Sequence, residues 1–136
     1  MLDAKFNLEG KSPEEGFNCL SYLYWFLKES GFAVPDSFKG YDEKNYIEKW
    51  KENPKRAKLL MLRYLLSLGE KVSAGFLYQG DIALMNHQGN IFNAIYIGRG
   101  NFLTCDERAG IIVVSKSKIK YENMKGIRPC LRQSQS

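Results

Sequence analysis

Histidine is almost absent from this sequence, because His87 is the only one among 136 residues. Cysteine is also scarce: Cys19, Cys105 and Cys130 are the three present, and no two have the spacing of a metal-binding pair. A zinc site built from cysteine and histidine is therefore not expected, and no cofactor or metal is predicted. An odd number of thiols without such spacing is typical of free cysteines in a reducing compartment.

Long apolar segments are missing as well. No stretch is long enough to span a bilayer, and residues 1–10, MLDAKFNLEG, lack the hydrophobic run of a signal peptide. We therefore expect a protein without a membrane span that resides in the cytoplasm. A mature chain whose signal peptide had been removed would show the same pattern.

The net charge is only mildly positive, because the chain has 20 Lys and Arg against 15 Asp and Glu. The basic residues are spread along the chain, in loose groups at 44–63 and 116–132, which is typical of a solvated surface. Nucleic acid is therefore not the expected partner, although a basic interaction protein stays open as a third hypothesis.

Length and a 44% hydrophobic content predict one globular domain over residues 1–136, with 133–136 as a loose tail. The oligomeric state is left open.

The first strong element is the segment from Asn18 to Ser30, NCLSYLYWFLKES, whose apolar residues recur at helical spacing. It is apolar on most sides, so it predicts a central helix. Lys28 in the last turn, Gly31 just beyond it and Pro35 indicate where the helix ends.

The start of this helix has two interpretations. Ser12-Pro13-Glu14-Glu15 has the pattern of a capping box, which would begin the helix early and include Gly16 within it. Alternatively, residues 12–16 form a turn, and Asn18 caps a helix that begins at Cys19. We favour the second, because glycine accommodates a sharp change of backbone direction.

The middle of the chain is predicted to be helical. Asp42 caps a segment that runs to about Glu52, and Pro54 begins a second one that Gly69 ends. In the second segment, Leu59, Leu62 and Leu66 belong to the predicted apolar side, which packs in the core.

The last half changes to strand periodicity, with strands predicted at 81–85, 91–98, 101–105 and 110–115. The loops between them are short, so neighbouring strands should pair antiparallel. The predicted fold class is α+β: an N-terminal helix that bears Cys19, a helical insertion in the middle, and an antiparallel sheet of about four or more strands.

Cys19 is the candidate nucleophile. Unpaired backbone N–H groups and the helix dipole at a helix N-terminus favour the thiolate, which is the reactive form of cysteine. The alternative is that Cys19 is a small buried apolar residue. A nucleophilic cysteine also needs a base, and His87 is the only histidine available.

Three blocks of the sequence resemble the NlpC family of cell-wall peptidases. The first contains Gly16-Phe17-Asn18-Cys19 and the exit Gly31-Phe32-Ala33-Val34-Pro35, which resemble the family's nucleophile region. The second is QGDIALM at 79–85, and the third is AIYIGRGNFL at 94–103, followed by GIIVVS at 110–115. The blocks occur in the family's order and cover most of residues 12–115.

The resemblance implies a papain-like fold in which a helix carrying the cysteine packs on an antiparallel sheet carrying a histidine. It implies attack of the thiolate on a peptide or amide bond, with the histidine as base and a polar residue on the next strand to orient it. It also implies a peptide or glycopeptide partner, since the family's substrates are mostly peptidoglycan stem peptides.

The sequence departs from the family at the base. The position of the family's histidine falls on Phe92, or on Asn93 after a slip of one residue, and these two face opposite sides of a strand. The orienting position falls on Thr104. His87 lies in an expected hairpin turn, about 16 Å along a strand from Phe92 at about 3.3 Å per residue. Two hypotheses follow: an intact cysteine hydrolase, or a degenerate domain with a binding or regulatory role.

Overall fold

The computed structural model describes residues 3–31, 43–87, 90–115 and 124–129. In these residues the chain forms an α+β structure with a six-stranded antiparallel sheet and a separate two-stranded hairpin. The helices are α1 (Ser21–Glu29), α2 (Glu43–Glu52) and α3 (Pro54–Leu66). The strands are β1 (Lys11–Ser12), β2 (Gly16–Phe17), β3 (Gly69–Val72), β4 (Ile82–His87), β5 (Asn90–Gly98), β6 (Asn101–Asp106), β7 (Gly110–Ser115) and β8 (Met124–Pro129).

The segment before α1 is a tight hairpin rather than an early helix. Ser12 pairs with Gly16, and the Ser12 hydroxyl accepts a hydrogen bond from the Glu15 amide at 3.2 Å. The predicted turn over residues 12–16 is therefore confirmed. The prediction that the helix begins at Cys19 is wrong by two residues: the helical hydrogen-bonding pattern begins at Ser21, because Cys19 lies in the turn that leads into it.

The end of α1 agrees with its sequence signals where the structure describes them. The helix closes at Ser30, whose amide donates to the Phe26 carbonyl, and Gly31 follows with a φ of +92°. That φ lies in the left-handed region, which glycine adopts without a steric penalty. Pro35 lies outside the described residues.

Helix α3 is capped as its sequence indicates, but it buries a different face. The Asn53 side chain accepts from the Arg56 amide, and Pro54 occupies the first helical position. The helix ends at Leu66, and Gly69 opens β3 instead of following the helix directly. The buried residues are Ala57, Met61, Tyr64 and Leu65.

The predicted apolar side of α3 is corrected accordingly. Leu59 is 51% exposed, whereas Leu62 and Leu66 are only partly buried. Residues four and seven apart along a helix share a face, so the small Ala57 and the large Met61 and Tyr64 define the side that packs. The cap predicted at Asp42 for α2 lies outside the described residues.

The sheet has the strand order β3-β8-β4-β5-β6-β7, with antiparallel pairing throughout. The four predicted strands correspond to β4 through β7, which form successive hairpins. Strands β3 and β8 were not predicted, and β8 returns from the C-terminal end to lie between β3 and β4. Gly126 permits this insertion, because a Cβ there would lie 2.7 Å from Leu77 and 2.8 Å from Val72.

The two faces of the sheet pack against different surroundings. On one face Ile82, Leu84, Ile95, Leu103 and Cys105 join a core cluster with the buried residues of the helices. On the other face, a smaller cluster forms from Ala83, Met85, Ala94 and Phe102. This alternation decides which side chains of β5 and β6 face the helices.

Asp81, in the QGDIALM block that leads into β4, has a structural role. Asp81 is 2% exposed and accepts hydrogen bonds from the Tyr78 amide at 2.7 Å and from the Arg128 guanidinium at 3.0 and 3.3 Å. Arg128 also stacks on the Tyr78 ring at 3.8 Å. Asp81 therefore ties the loop before β4 to β8.

Of the helices in the described ranges, none combines the length and apolar character that crossing a membrane requires. Cys130 and the tail predicted at residues 133–136 lie outside those ranges.

Candidate functional site

The turn that carries Cys19 is fixed by the backbone of the N-terminal segment. Gly16 has a φ of +96°, and the next residue, Phe17, donates its amide to the Lys5 carbonyl at 2.9 Å. The Phe17 carbonyl in turn accepts from the Asn7 amide at 2.9 Å. The chain is therefore held on both sides of Phe17, two residues before the thiol.

Asn18 caps the turn reciprocally with Ser21. Its side-chain oxygen accepts from the amides of Leu20 and Ser21 at 2.8 and 2.7 Å, and the Ser21 hydroxyl accepts from the Asn18 amide at 2.9 Å. Although the helical pattern begins at Ser21, Leu20 already has helical torsion angles, so side-chain capping occurs at Asn18. The predicted capping contacts of Asn18 are therefore present, but they close the turn that contains Cys19, and the helix follows at Ser21.

The Cys19 thiol faces a second thiol on β6. Its Sγ lies 3.6 Å from the Cys105 carbonyl oxygen, and the Cys105 Sγ lies 3.5 Å from the Phe17 carbonyl oxygen. Both cysteines are free, with exposures of 8% and 7%. The side chain of Tyr46, a buried residue of α2, also lowers the pKa of Cys19. The candidate nucleophile is therefore enclosed by β6 and α2.

The pKa of the Cys19 thiol is lowered, chiefly by a hydrogen bond with the Cys105 side chain. Burial acts in the opposite direction, the positive charge of Lys58 lowers the pKa, and the negative charge of Glu107 raises it. The pKa of Cys105 is raised, first by its hydrogen bond with Cys19 and then by burial. Of the two thiols, Cys19 is thus the one whose thiolate is favoured by its surroundings.

Asn93 is the centre of a buried polar network beside this turn. Its side-chain nitrogen lies 3.0 Å from the Cys19 carbonyl oxygen and 3.3 Å from the Met61 sulfur. Its side-chain oxygen accepts a hydrogen bond from the Tyr22 hydroxyl. Burial raises the pKa of Tyr22 well above its usual value, so this hydroxyl keeps its proton and acts as the donor.

The structure decides between the two positions that the sequence left open for the family's histidine. Asn93 faces the helices and contacts the Cys19 backbone, whereas Phe92 packs with Ala83 and Met85 on the opposite face of the sheet. The side chain that the fold brings to Cys19 is therefore a carboxamide. Thr104 lies next to it, with its hydroxyl 2.7 Å from the Asn93 carbonyl oxygen. It thus bonds to the main chain of Asn93 and not to its side chain.

The backbone of His87 lies at the far end of β4. His87 pairs with Asn90, whereas Leu84 is the residue of β4 that pairs with Asn93. Three residues separate these positions, which is about 10 Å along the strand. The structure therefore brings Cys19, Asn93 and Thr104 together and places the His87 backbone away from them.

The described neighbours of the thiol support its ionisation but provide no imidazole to accept its proton. The groups that act on the Cys19 pKa are Cys105, Lys58, Glu107 and Tyr46. A neutral carboxamide such as Asn93 does not act as a general base near neutral pH. Within the described ranges, no group of three or more His, Cys, Asp or Glu side chains is placed to hold a metal ion.

The sequence interpretation missed Cys105 as a neighbour of the nucleophile. Side chains two residues apart on a strand share a face, and this rule could have placed Cys105 on the side of the sheet that the helices cover. Leu103 pairs with Ile95, and Cys105 lies two residues further along on the same face. Tyr46 had no comparable signal, since its position over Cys19 depends on how α2 packs.

We expect two charge-removing variants to move the Cys19 pKa in opposite directions. Lys58 and Glu107 form an ion pair at 3.3 Å, and their charges act on Cys19 with opposite sign. Lys58→Met should raise the pKa and Glu107→Gln should lower it. The measurement is the ¹³Cβ chemical shift of Cys19 against pH in cysteine-labelled protein. Shifts in the same direction would show that breaking the ion pair, and not charge, controls the thiol.

No protein-family model matches this sequence, and no curated protein matches it.

Proposed function

We propose that this chain is a papain-type, NlpC-like domain that retains the nucleophile position at Cys19 but has lost its general base, and that it binds a peptide or glycopeptide without cleaving it. The observation that carries the proposal is the contact of the Asn93 carboxamide with the Cys19 carbonyl at 3.0 Å. In the resembled family, a histidine stands on this strand.

The bonds of Asn93 support a structural role in place of a catalytic one. Its nitrogen contacts Cys19 and Met61, and its oxygen is occupied by Tyr22. A general base needs a free lone pair directed at the proton it removes. Asn93 instead satisfies buried polar groups of the helix and the turn.

The order of the elements supports the papain-type part of the proposal. A capped turn with Cys19 leads into a buried helix, and Asn93 and Thr104 follow on adjacent antiparallel strands. This is the order that the resemblance implies for the nucleophile, the base and the orienting residue. The ligand class comes from the resemblance alone.

An intact cysteine hydrolase is the second candidate, and a specific observation favours it. The Cys19 pKa is lowered, which is the usual requirement for a thiol nucleophile. Such an enzyme would need its base from outside the contacts described above. His87 is the one histidine of the chain.

The test compares turnover and binding of one ligand, a muropeptide that carries a stem peptide with D-amino acids. We expect no product that depends on Cys19 when wild type and Cys19→Ala are compared by liquid chromatography and mass spectrometry. We expect both proteins to bind the muropeptide with similar affinity in isothermal titration calorimetry, because the thiol is enclosed.

Product release by wild type but not by Cys19→Ala would overturn the proposal and support the hydrolase, and loss of that activity in His87→Ala would identify the base. Absence of both turnover and binding would show that the ligand class is wrong. Asn93→His tests the placement of the base: alkylation of Cys19 at about pH 6 should accelerate relative to wild type and to Asn93→Ala.

A further inference from the structure

Two buried thiols that belong to distant parts of the chain meet at the turn before α1. Cys19 and Cys105 are separated by 86 residues, and each thiol lies within 3.6 Å of a backbone carbonyl from the other's segment. The two side chains also act on each other's pKa, which is lowered at Cys19 and raised at Cys105. A hydrolytic mechanism uses one thiol, so the second has no part in the function discussed above.

We propose that Cys19 and Cys105 form a reversible disulfide when the protein meets a hydroperoxide, with Cys19 as the thiol that is oxidised first and Cys105 as the thiol that resolves it. The proposal does not rest on the NlpC-like assignment, because it needs only the two thiols and their enclosure.

The contacts of the two thiols bring them to one place in the fold. A disulfide requires Cα atoms about 4.4–6.8 Å apart and Cβ atoms that face each other. Cys19 Sγ contacts the Cys105 carbonyl oxygen, and Cys105 Sγ contacts the Phe17 carbonyl oxygen. These two contacts place the thiols side by side between the turn and β6. Bond formation needs each sulfur to turn from its carbonyl partner toward the other sulfur.

The chemistry balances with one hydroperoxide. The Cys19 thiolate attacks the terminal oxygen of the peroxide, the S–O bond forms and the O–O bond breaks. The leaving group, hydroxide from hydrogen peroxide or alkoxide from an alkyl hydroperoxide, takes up a proton and departs as water or an alcohol. The Cys105 sulfur then attacks the Cys19 sulfur, the S–S bond forms, and the hydroxyl leaves with the Cys105 proton as water. Two thiols are oxidised to one disulfide, and the peroxide is reduced by two electrons.

The order of attack follows from the surroundings of the two sulfurs. The Cys105 and Tyr46 side chains and the positive charge of Lys58 all lower the pKa of Cys19, so its thiolate is the favoured one. Cys105 lies near Asp106 and Glu107, which disfavour its thiolate. A low-pKa thiol next to a resolving cysteine is the usual arrangement of a redox-sensitive site.

The enclosure of the pair selects the oxidant. Cys19 and Cys105 are 8% and 7% exposed, so a small oxidant such as hydrogen peroxide should react with them faster than a bulky aromatic hydroperoxide. The disulfide would tie the turn to β6 and remove the Cys19 thiol from any reaction until a dithiol reductant restores it.

The experiment uses the full chain and a Cys130→Ser background, which removes the third thiol. After treatment with hydrogen peroxide, free thiols are alkylated and the protein is digested without reduction for mass spectrometry. We expect a Cys19–Cys105 cross-linked peptide, nearly complete loss of alkylation at both residues, and recovery of both with dithiothreitol. In Cys105→Ser, dimedone should instead trap a sulfenic acid on Cys19.

Alkylation of both residues after peroxide, without the cross-link, would overturn the disulfide. The order of attack would be overturned if dimedone modified Cys105 in the Cys19→Ser variant but did not modify Cys19 in the Cys105→Ser variant. Circular dichroism of each variant verifies that the compared proteins are folded. The muropeptide assay is to be run with a dithiol reductant present, so that its outcome and the outcome of the peroxide test are independent.

Discussion

Gly16→Ala is expected to destabilise the protein by about 3 kcal/mol or more, which is a severe effect for one methyl group. A residue with a side chain at a φ of +96° costs about 1–3 kcal/mol by itself. In addition, the new Cβ would lie 2.5 Å from the Lys5 carbonyl oxygen, so the backbone would have to move. The movement would break the hydrogen bond that holds Phe17 and would displace the turn that carries Cys19.

Gly80→Ala is the matched control. Gly80 has a φ of +97°, and nothing lies within 4 Å of a Cβ at that position. Gly80→Ala therefore has the energetic cost of an unfavourable φ without a steric clash, and we expect it to reduce the free energy of unfolding by about 1–2 kcal/mol. Urea denaturation of the two variants and wild type measures the difference. Equal losses would show that the contact with Lys5 relaxes without cost.

Asn93→Leu is expected to reduce the free energy of unfolding by about 2–5 kcal/mol. The substitution nearly conserves volume but leaves the Cys19 carbonyl without its amide donor and the Tyr22 hydroxyl without its side-chain acceptor. A buried polar group that loses its partner costs about 1–3 kcal/mol. The loss should come with altered solvent exposure of the turn, because Asn93 links β5 to that turn.

Thr104→Val supplies the comparison on the neighbouring strand. It removes one hydrogen bond, from the Thr104 hydroxyl to the Asn93 carbonyl at 2.7 Å. That carbonyl keeps the Tyr22 hydroxyl within 3.3 Å, so we expect a loss of only about 1 kcal/mol. Thermal and urea unfolding of both variants test the ranking. A larger loss in Thr104→Val than in Asn93→Leu would contradict the central position of Asn93 in the network.

The strands and turns of the last half were predictable because they depend on neighbouring residues. Alternation and short glycine-containing turns identified β4 through β7 to within two residues at each end. The capped turn at Asn18 was predictable for the same reason, since a cap binds amides two and three residues away. Strand β8 was missed, because a short basic segment becomes a strand only when β3 and β4 offer it a place.

The candidate site was predictable in part. Cys19 and the pair of positions on β5 came from the sequence, but the choice between Phe92 and Asn93 depends on which face of the sheet the helices cover. A slip of one residue exchanges the two faces, and a short strand with apolar residues on both sides does not specify which one is covered. The tertiary packing resolves this ambiguity.

The sequence by itself determined the α+β class, the turn that presents Cys19 and the scarcity of histidine as a base. Tertiary structure alone decided that a carboxamide reaches the Cys19 backbone, that a second thiol lies beside the first, and that Tyr46 of α2 acts on Cys19. The physical reason is the range of the interactions. Caps and turns join residues two to four apart, whereas the contacts of Cys19 with Asn93 and Cys105 span 74 and 86 residues and form only when helix and sheet pack.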